Sequence, residues 1–170
     1  MKRWIMFVAM LVPLALAAQK SPVDKLFEKY ANQKGFTTVN ISGKLLGFAG
    51  KLDNSNPETS KMLNNLTGIR ILSVDDDDLN KQVDFYTELD KEGFFKNNTY
   101  ESLMDVTEDD QVVRFYARET DGGKFSELLL VVGGKDDNTL ISIRGLIDPE
   151  NIGKITGALD IDVDVTKGEK

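Results

Sequence analysis

The sequence predicts an α+β domain: an antiparallel sheet with a C-terminal four-strand meander and amphipathic helices packed on one face. Three observations carry this. Proline-marked helix starts and apolar stripes at helical spacing dominate the first ninety or so positions. From about Thr99 the apolar period changes to two. The later strands are separated by turns too short for crossover helices, which leaves hairpins.

Ser21-Pro22, Asn56-Pro57 and Asp148-Pro149 each place a good N-cap before a proline. A proline at the first helical position forfeits no hydrogen bond, and the preceding side chain accepts from free amides, so three helix starts are expected. The first helix carries Val23, Leu26, Phe27, Tyr30 and Ala31 on one stripe, and Gly35 ends it. Phe36 to Ile41 reads as a short strand, and Leu45, Leu46, Phe48, Ala49 and Leu52 as a further helix. Lys51 to Asn56 is a polar loop. The helix after Pro57 holds Met62, Leu63 and Leu66, with Gly68 closing it, and Ile69 to Val74 is a strand. Leu79, Val83, Tyr86 and Leu89 then share a helical face that Gly93 terminates.

In the second half, Tyr100, Ser102, Met104 and Val106 alternate with their neighbours, as do Val113, Phe115 and Ala117 with Arg114, Tyr116 and Arg118. Phe125 to Val132 is an apolar strand, and Ile141, Ile143 and Ile147 fall on one face of the next. Turns at Glu108-Asp109-Asp110, Asp121-Gly122-Gly123 and Gly133 to Asn138 separate these strands. A last helix uses Ile152, Ile155 and Leu159. One face of the meander is expected on the helices. The other is expected partly solvated, with Arg114, Arg118 and Glu101 outward as the candidate interaction face.

Of 170 residues, 21 are Lys or Arg and 28 Asp or Glu, a net charge of −7, and there is no His and no Cys. The length suits one domain with a sizeable core. The acidic balance argues against nucleic acid and anionic lipid as partners. Without Cys, thiolate nucleophiles, disulfides and Cys-ligated metals are excluded; without His, so are Ser-His-Asp triads, His bases and His-ligated haem. Catalysis would have to rest on Asp, Glu, Lys, Tyr, Ser or Thr.

Lys2 and Arg3 precede an uncharged, mostly apolar run from Trp4 to Ala18 that closes on Ala15-Leu16-Ala17. A basic start, a short apolar core and a small-x-small site are the marks of an export signal, with an uncleaved N-terminal anchor as the alternative. The expected organisation is a signal peptide over 1–17, with cleavage after Ala18 also plausible, one domain over 18–165, and a frayed tail over 166–170. Loss of Lys2 and Arg3 would make the net charge −9. An acidic exported domain without disulfides suits a periplasm, or secretion, with no membrane span once the signal is removed.

Two acidic clusters stand out. Asp75 to Asp78 could meet Ca²⁺ or Mg²⁺, but four consecutive residues cannot converge on one ion, and the position before a helix explains them as caps. Asp160-Ile161-Asp162-Val163-Asp164-Val165 opens like an EF-hand loop but has Val165 where the loop needs Gly, so it reads as a charged edge strand. Gly133-Gly134-Lys135 lacks the rest of a phosphate loop and reads as a hairpin turn. The residues therefore single out no catalytic group, no metal and no cofactor.

The export signal, the helix Val23 to Tyr30, and the segments Gly35 to Ser42, Ile69 to Val74 and Ile143 to Asp148 resemble the DUF4252 family over roughly residues 22–160. The resemblance implies an exported Bacteroidota protein without an assigned activity. Family members are often encoded near sigma-factor genes, which hints at envelope signalling. The expected function is a non-enzymatic periplasmic binding or interaction module with an envelope protein as its unknown partner. The alternative is a carboxylate-dependent hydrolase or transferase.

Overall fold

The computed structural model describes residues 20–52, 56–96 and 99–158. Among these residues six strands form one antiparallel sheet in the order β1-β2-β6-β5-β4-β3. They are β1 (Phe36–Ser42), β2 (Leu66–Val74), β3 (Glu101–Glu108), β4 (Gln111–Thr120), β5 (Lys124–Gly134) and β6 (Thr139–Ile147). The last four are the expected meander, and the class is α+β. Among the described residues six α-helices accompany the sheet: α1 (Pro22–Tyr30), α2 (Gly43–Leu52), α3 (Pro57–Asn65), α4 (Asp77–Asn80), α5 (Phe85–Lys91) and α6 (Ile152–Ala158).

Local chemistry sets the helix starts. Ser21 accepts from the Asp24 amide, Asn56 from those of Glu58 and Thr59, and Asp148 from that of Glu150. The third of these first forms a 3-10 turn at Pro149–Asn151 and continues into α6. Gly35 does not end α1, which stops at Tyr30 with Ala31 as its C-cap; it turns the chain into β1 with φ of 84°, a left-handed conformation that costs glycine little.

Four further expectations are corrected. The helices pack on both faces of the sheet, not one. Leu72, Val74, Leu129, Val131 and Leu140 meet α1, α5 and Phe94 on one face; Phe115, Leu128, Leu130, Ile141 and Ile143 meet Leu46 of α2 and Ile155 of α6 on the other, with Met62 and Leu63 of α3 beside them. The near-continuous apolar run of β5 reflects this double burial. The helix expected from Leu79 to Leu89 is two, because Asp84 caps a fresh start and Asn138 takes the Phe85 amide. Gly68 does not close α3, which ends at Asn65; it sits inside β2. Finally, a bulge between Ser102 and Met104 breaks the alternation of β3, so Tyr100 joins one core and Met104 the other.

Helix α2 forms as expected, but Leu46 and Gly50 face inward while Leu45, Phe48 and Leu52 are exposed. Leu159 and the Asp160–Val165 segment lie outside the described residues, as does the export signal.

Candidate functional site

The face under α1 and α5 carries charge in its interior. Glu127 of β5 is fully buried. Its Oε1 accepts from the Ser142 hydroxyl at 2.5 Å and from Arg144 Nε at 3.0 Å. Its Oε2 accepts from the Tyr100 hydroxyl at 2.7 Å, with Arg118 Nη2 at 3.6 Å. Burying a carboxylate is costly unless it is paired and hydrogen-bonded, and these four partners meet that condition. Burial pushes the Tyr100 hydroxyl far above its usual range, and the Glu127 charge adds to the rise.

Arg144 carries the network onward. Its Nη2 donates at 3.0 Å to Asp24 Oδ1, the same oxygen that accepts from Arg70 Nη2 at 2.6 Å. The Arg70 guanidinium also lies 4.2 Å from the centre of the Phe27 ring, which fixes its plane. Burial tends to raise the Asp24 pKa, but the Ser21 hydroxyl and the two guanidiniums outweigh it and hold this carboxyl below its ordinary value. Three arginines (Arg70, Arg118, Arg144) thus share two carboxylates, leaving one surplus positive charge.

Sheet register places part of this network beside an open pocket. Asn40, Arg70 and Ser142 lie side by side across β1, β2 and β6, and Ser42, Gly68 and Arg144 form the next row on the same face. These residues, with Thr67, line a cavity of about 410 Å³ whose wall contains no carboxylate. The wall thus presents guanidinium N–H groups, hydroxyls and an amide, while Asp24 and Glu127, which hold the two arginines, offset their charge.

The candidate interaction face expected from the sequence is not assembled. Arg114 and Arg118 do share the α5 side of β4, but both are engaged within the chain. Arg114 ion-pairs with Asp105 at 3.0 Å, donates to the Tyr86 hydroxyl at 2.5 Å and lies 4.4 Å from that ring. Arg118 donates to Ser126 Oγ at 3.0 Å and reaches Glu127. Glu101 pairs in register with Ala117, whose side chain lies in the opposite core, so it faces away from both arginines. The acidic run behaves as the capping argument expects: Asp76 accepts from the amides of Asp78 and Leu79.

Four polar residues, Glu127, Arg70, Arg144 and Asn138, were not singled out from the sequence. Glu127 is a lone acid inside an apolar strand, and Arg70 and Arg144 stand among isoleucines in theirs. A charge within an apolar strand signals a buried pair, and this was the available clue. Asn138 is also fully buried. Its amide nitrogen donates to the carbonyls of Val83 at 2.9 Å and Gly134 at 2.7 Å while its oxygen accepts from the Phe85 amide, tying the α4–α5 turn to the β5–β6 turn.

A family model described as a domain of unknown function, DUF4252, matches residues 30–155. The chain belongs to the DUF4252 family. No curated protein and no solved structure matches it. The matched DUF4252 span holds all six strands and both arginines of the pocket wall, while Asp24 on α1 precedes it.

Proposed function

We propose that this DUF4252 protein is an exported, non-enzymatic binding module of the periplasm or cell surface, serving envelope signalling by recognising a partner or ligand at the Arg70–Arg144 corner of its sheet. The observation that carries the reading is the pocket wall: two half-buried guanidiniums, hydroxyl and amide side chains, and no carboxylate. Such a wall binds and orients an anion, but it offers no acid–base pair of the kind a carboxylate-dependent hydrolase needs. Arg114 and Arg118 support the sheet instead, since their guanidiniums are held by Tyr86, Asp105, Ser126 and Glu127.

The test is photo-crosslinking in host envelope fractions with a reactive group at Asn40 or Thr67. The expected result is one crosslinked species that Arg70→Gln removes and Lys135→Gln leaves intact, on a chain whose intact mass lacks residues 1–17 or 1–18. Crosslinking indifferent to Arg70→Gln, or a chain keeping its N-terminal segment, would count against the reading.

A further inference from the structure

The pocket has more definition than a generic basic patch. Its floor is a two-by-three grid, Asn40–Arg70–Ser142 beside Ser42–Gly68–Arg144, set by the pairing of β1, β2 and β6. Five grid positions carry polar side chains and the sixth, Gly68, carries none, so the hollow lies between the Ser42 and Arg144 side chains. The positions of both guanidiniums are fixed. Arg70 is held between Phe27 and Asp24, and Arg144 between Asp24 and Glu127. The pocket wall itself carries these two guanidiniums and no carboxylate. Arg70 Nη2 and Arg144 Nε and Nη2 already donate to Asp24 and Glu127, so a ligand would be met by the remaining N–H groups of the two guanidiniums, and partial burial strengthens such charge-assisted bonds. Arg70 Nε is buried without a hydrogen-bond partner, so the network leaves donor capacity unused.

From this geometry we infer that the pocket binds a ligand through a single carboxylate group, held by Arg70 and Arg144 and seated over Gly68. The inference rests on the corner being the recognition site and adds the chemistry of what is recognised. Recognition extends from the carboxylate to the Asn40 amide and the Ser42 and Thr67 hydroxyls, which suits a small acylated amino acid with one amide next to its acid.

Gly68 supplies a variant that leaves every charge in place. A Cβ there would stand 3.2 Å from the Ile41 carbonyl oxygen, a contact relieved by a few tenths of an ångström, and a longer side chain would occupy the hollow. The test is titration of the purified protein with N-acetylglycine, followed by amide chemical shifts. The expected result is saturation at millimolar concentrations, with shifts confined to the 40–42, 67–70 and 142–144 segments. N-acetylglycinamide, isosteric but neutral, should produce none. Arg70→Gln should weaken binding about ten-fold or more, and Gly68→Leu should abolish it while retaining the native spectrum elsewhere. Three results would overturn the inference: no saturation, equal binding of the amide, or inorganic phosphate binding more tightly than the monocarboxylate. Envelope crosslinking that still depends on Arg70, without any carboxylate binding, would sink this inference and leave the proposed function standing.

Discussion

Glu127 and Leu128 are neighbours on β5, both fully buried, and they point to opposite faces of the sheet. Leu128 belongs to an apolar cluster with Phe115, Ile141, Ile143 and, from the helices, Leu46 and Ile155. Around Glu127 the apolar contacts of α1 and α5 give way to a chain of charges running through Arg144 to Asp24 and Arg70. The apolar face gains stability from area removed from water and tolerates any arrangement that fills its volume. The charged face gains little net stability from its ion pairs but demands one geometry, because each partner left alone is a desolvated charge. One face therefore serves mainly to hold the sheet, and the other can hold side chains still enough to recognise something.

Replacing Glu127 is the most direct way to break that contrast. Glu127→Leu keeps the volume but strands Arg144 and Arg118 beside new apolar surface, and should cost about 4 kcal/mol in urea unfolding. A near-neutral result would mean that the network relaxes into solvent and fixes nothing. Leu128→Ala, one residue away, should cost about 3 kcal/mol through lost burial and a residual cavity. Its loss should be the same at any salt concentration, because no charge is involved. A salt-dependent loss would show the two faces to be coupled.

A milder probe is pH. The Asp24 carboxyl lies below its ordinary pKa when folded, so its contribution to stability is fully present above about pH 4 and is lost as pH falls through the lower folded value. Asp24→Asn should therefore flatten the acid side of the stability profile and leave Leu128→Ala's cost unaltered there. An unchanged acid slope in Asp24→Asn would remove Asp24 from the network's energetics. The smallest effect belongs to the outer surface of α2. Phe48→Ser should change stability by no more than about 0.5 kcal/mol, since Phe48 is 59% exposed. A loss of several times that size would mean that the stripe is covered in solution.

Much of this architecture could be read ahead of the coordinates, and the readable part is local. Ser21, Asn56, Asp76 and Asp148 cap helices because the amides they serve are two or three residues away. The meander was legible because its turns are short. The faces were not. Whether Leu46 or Leu45 of α2 points inward depends on where α2 lies against β2 and α3, which periodicity does not encode. The site was harder still, since Asp24, Arg70, Glu127 and Arg144 come from four elements brought together by the β2–β6 and β5–β6 pairings. Arg114 and Arg118 drew attention because they alternate with apolar residues. Alternation reports only the side of the strand, and that side is covered by Tyr86, Phe95 and Tyr100.

The β2–β6 pairing also sets an order of events in time. Ile69 lies opposite Ile143, so the sheet cannot close until nearly all of the matched domain has been made. The β3–β6 hairpins need only short loops and can zip on the scale of microseconds, whereas bringing β2 to β6 requires a long loop to close and is the slow step. Until then β2 and β6 each present an unpaired edge, and Arg70 and Arg144 remain hydrated and apart. The Arg70–Arg144 corner is thus completed last. A chain truncated before β6 would lose both cores and leave β2 and β5 open to other strands, so quality control that senses open strand edges would detect an incomplete copy before it could bind anything.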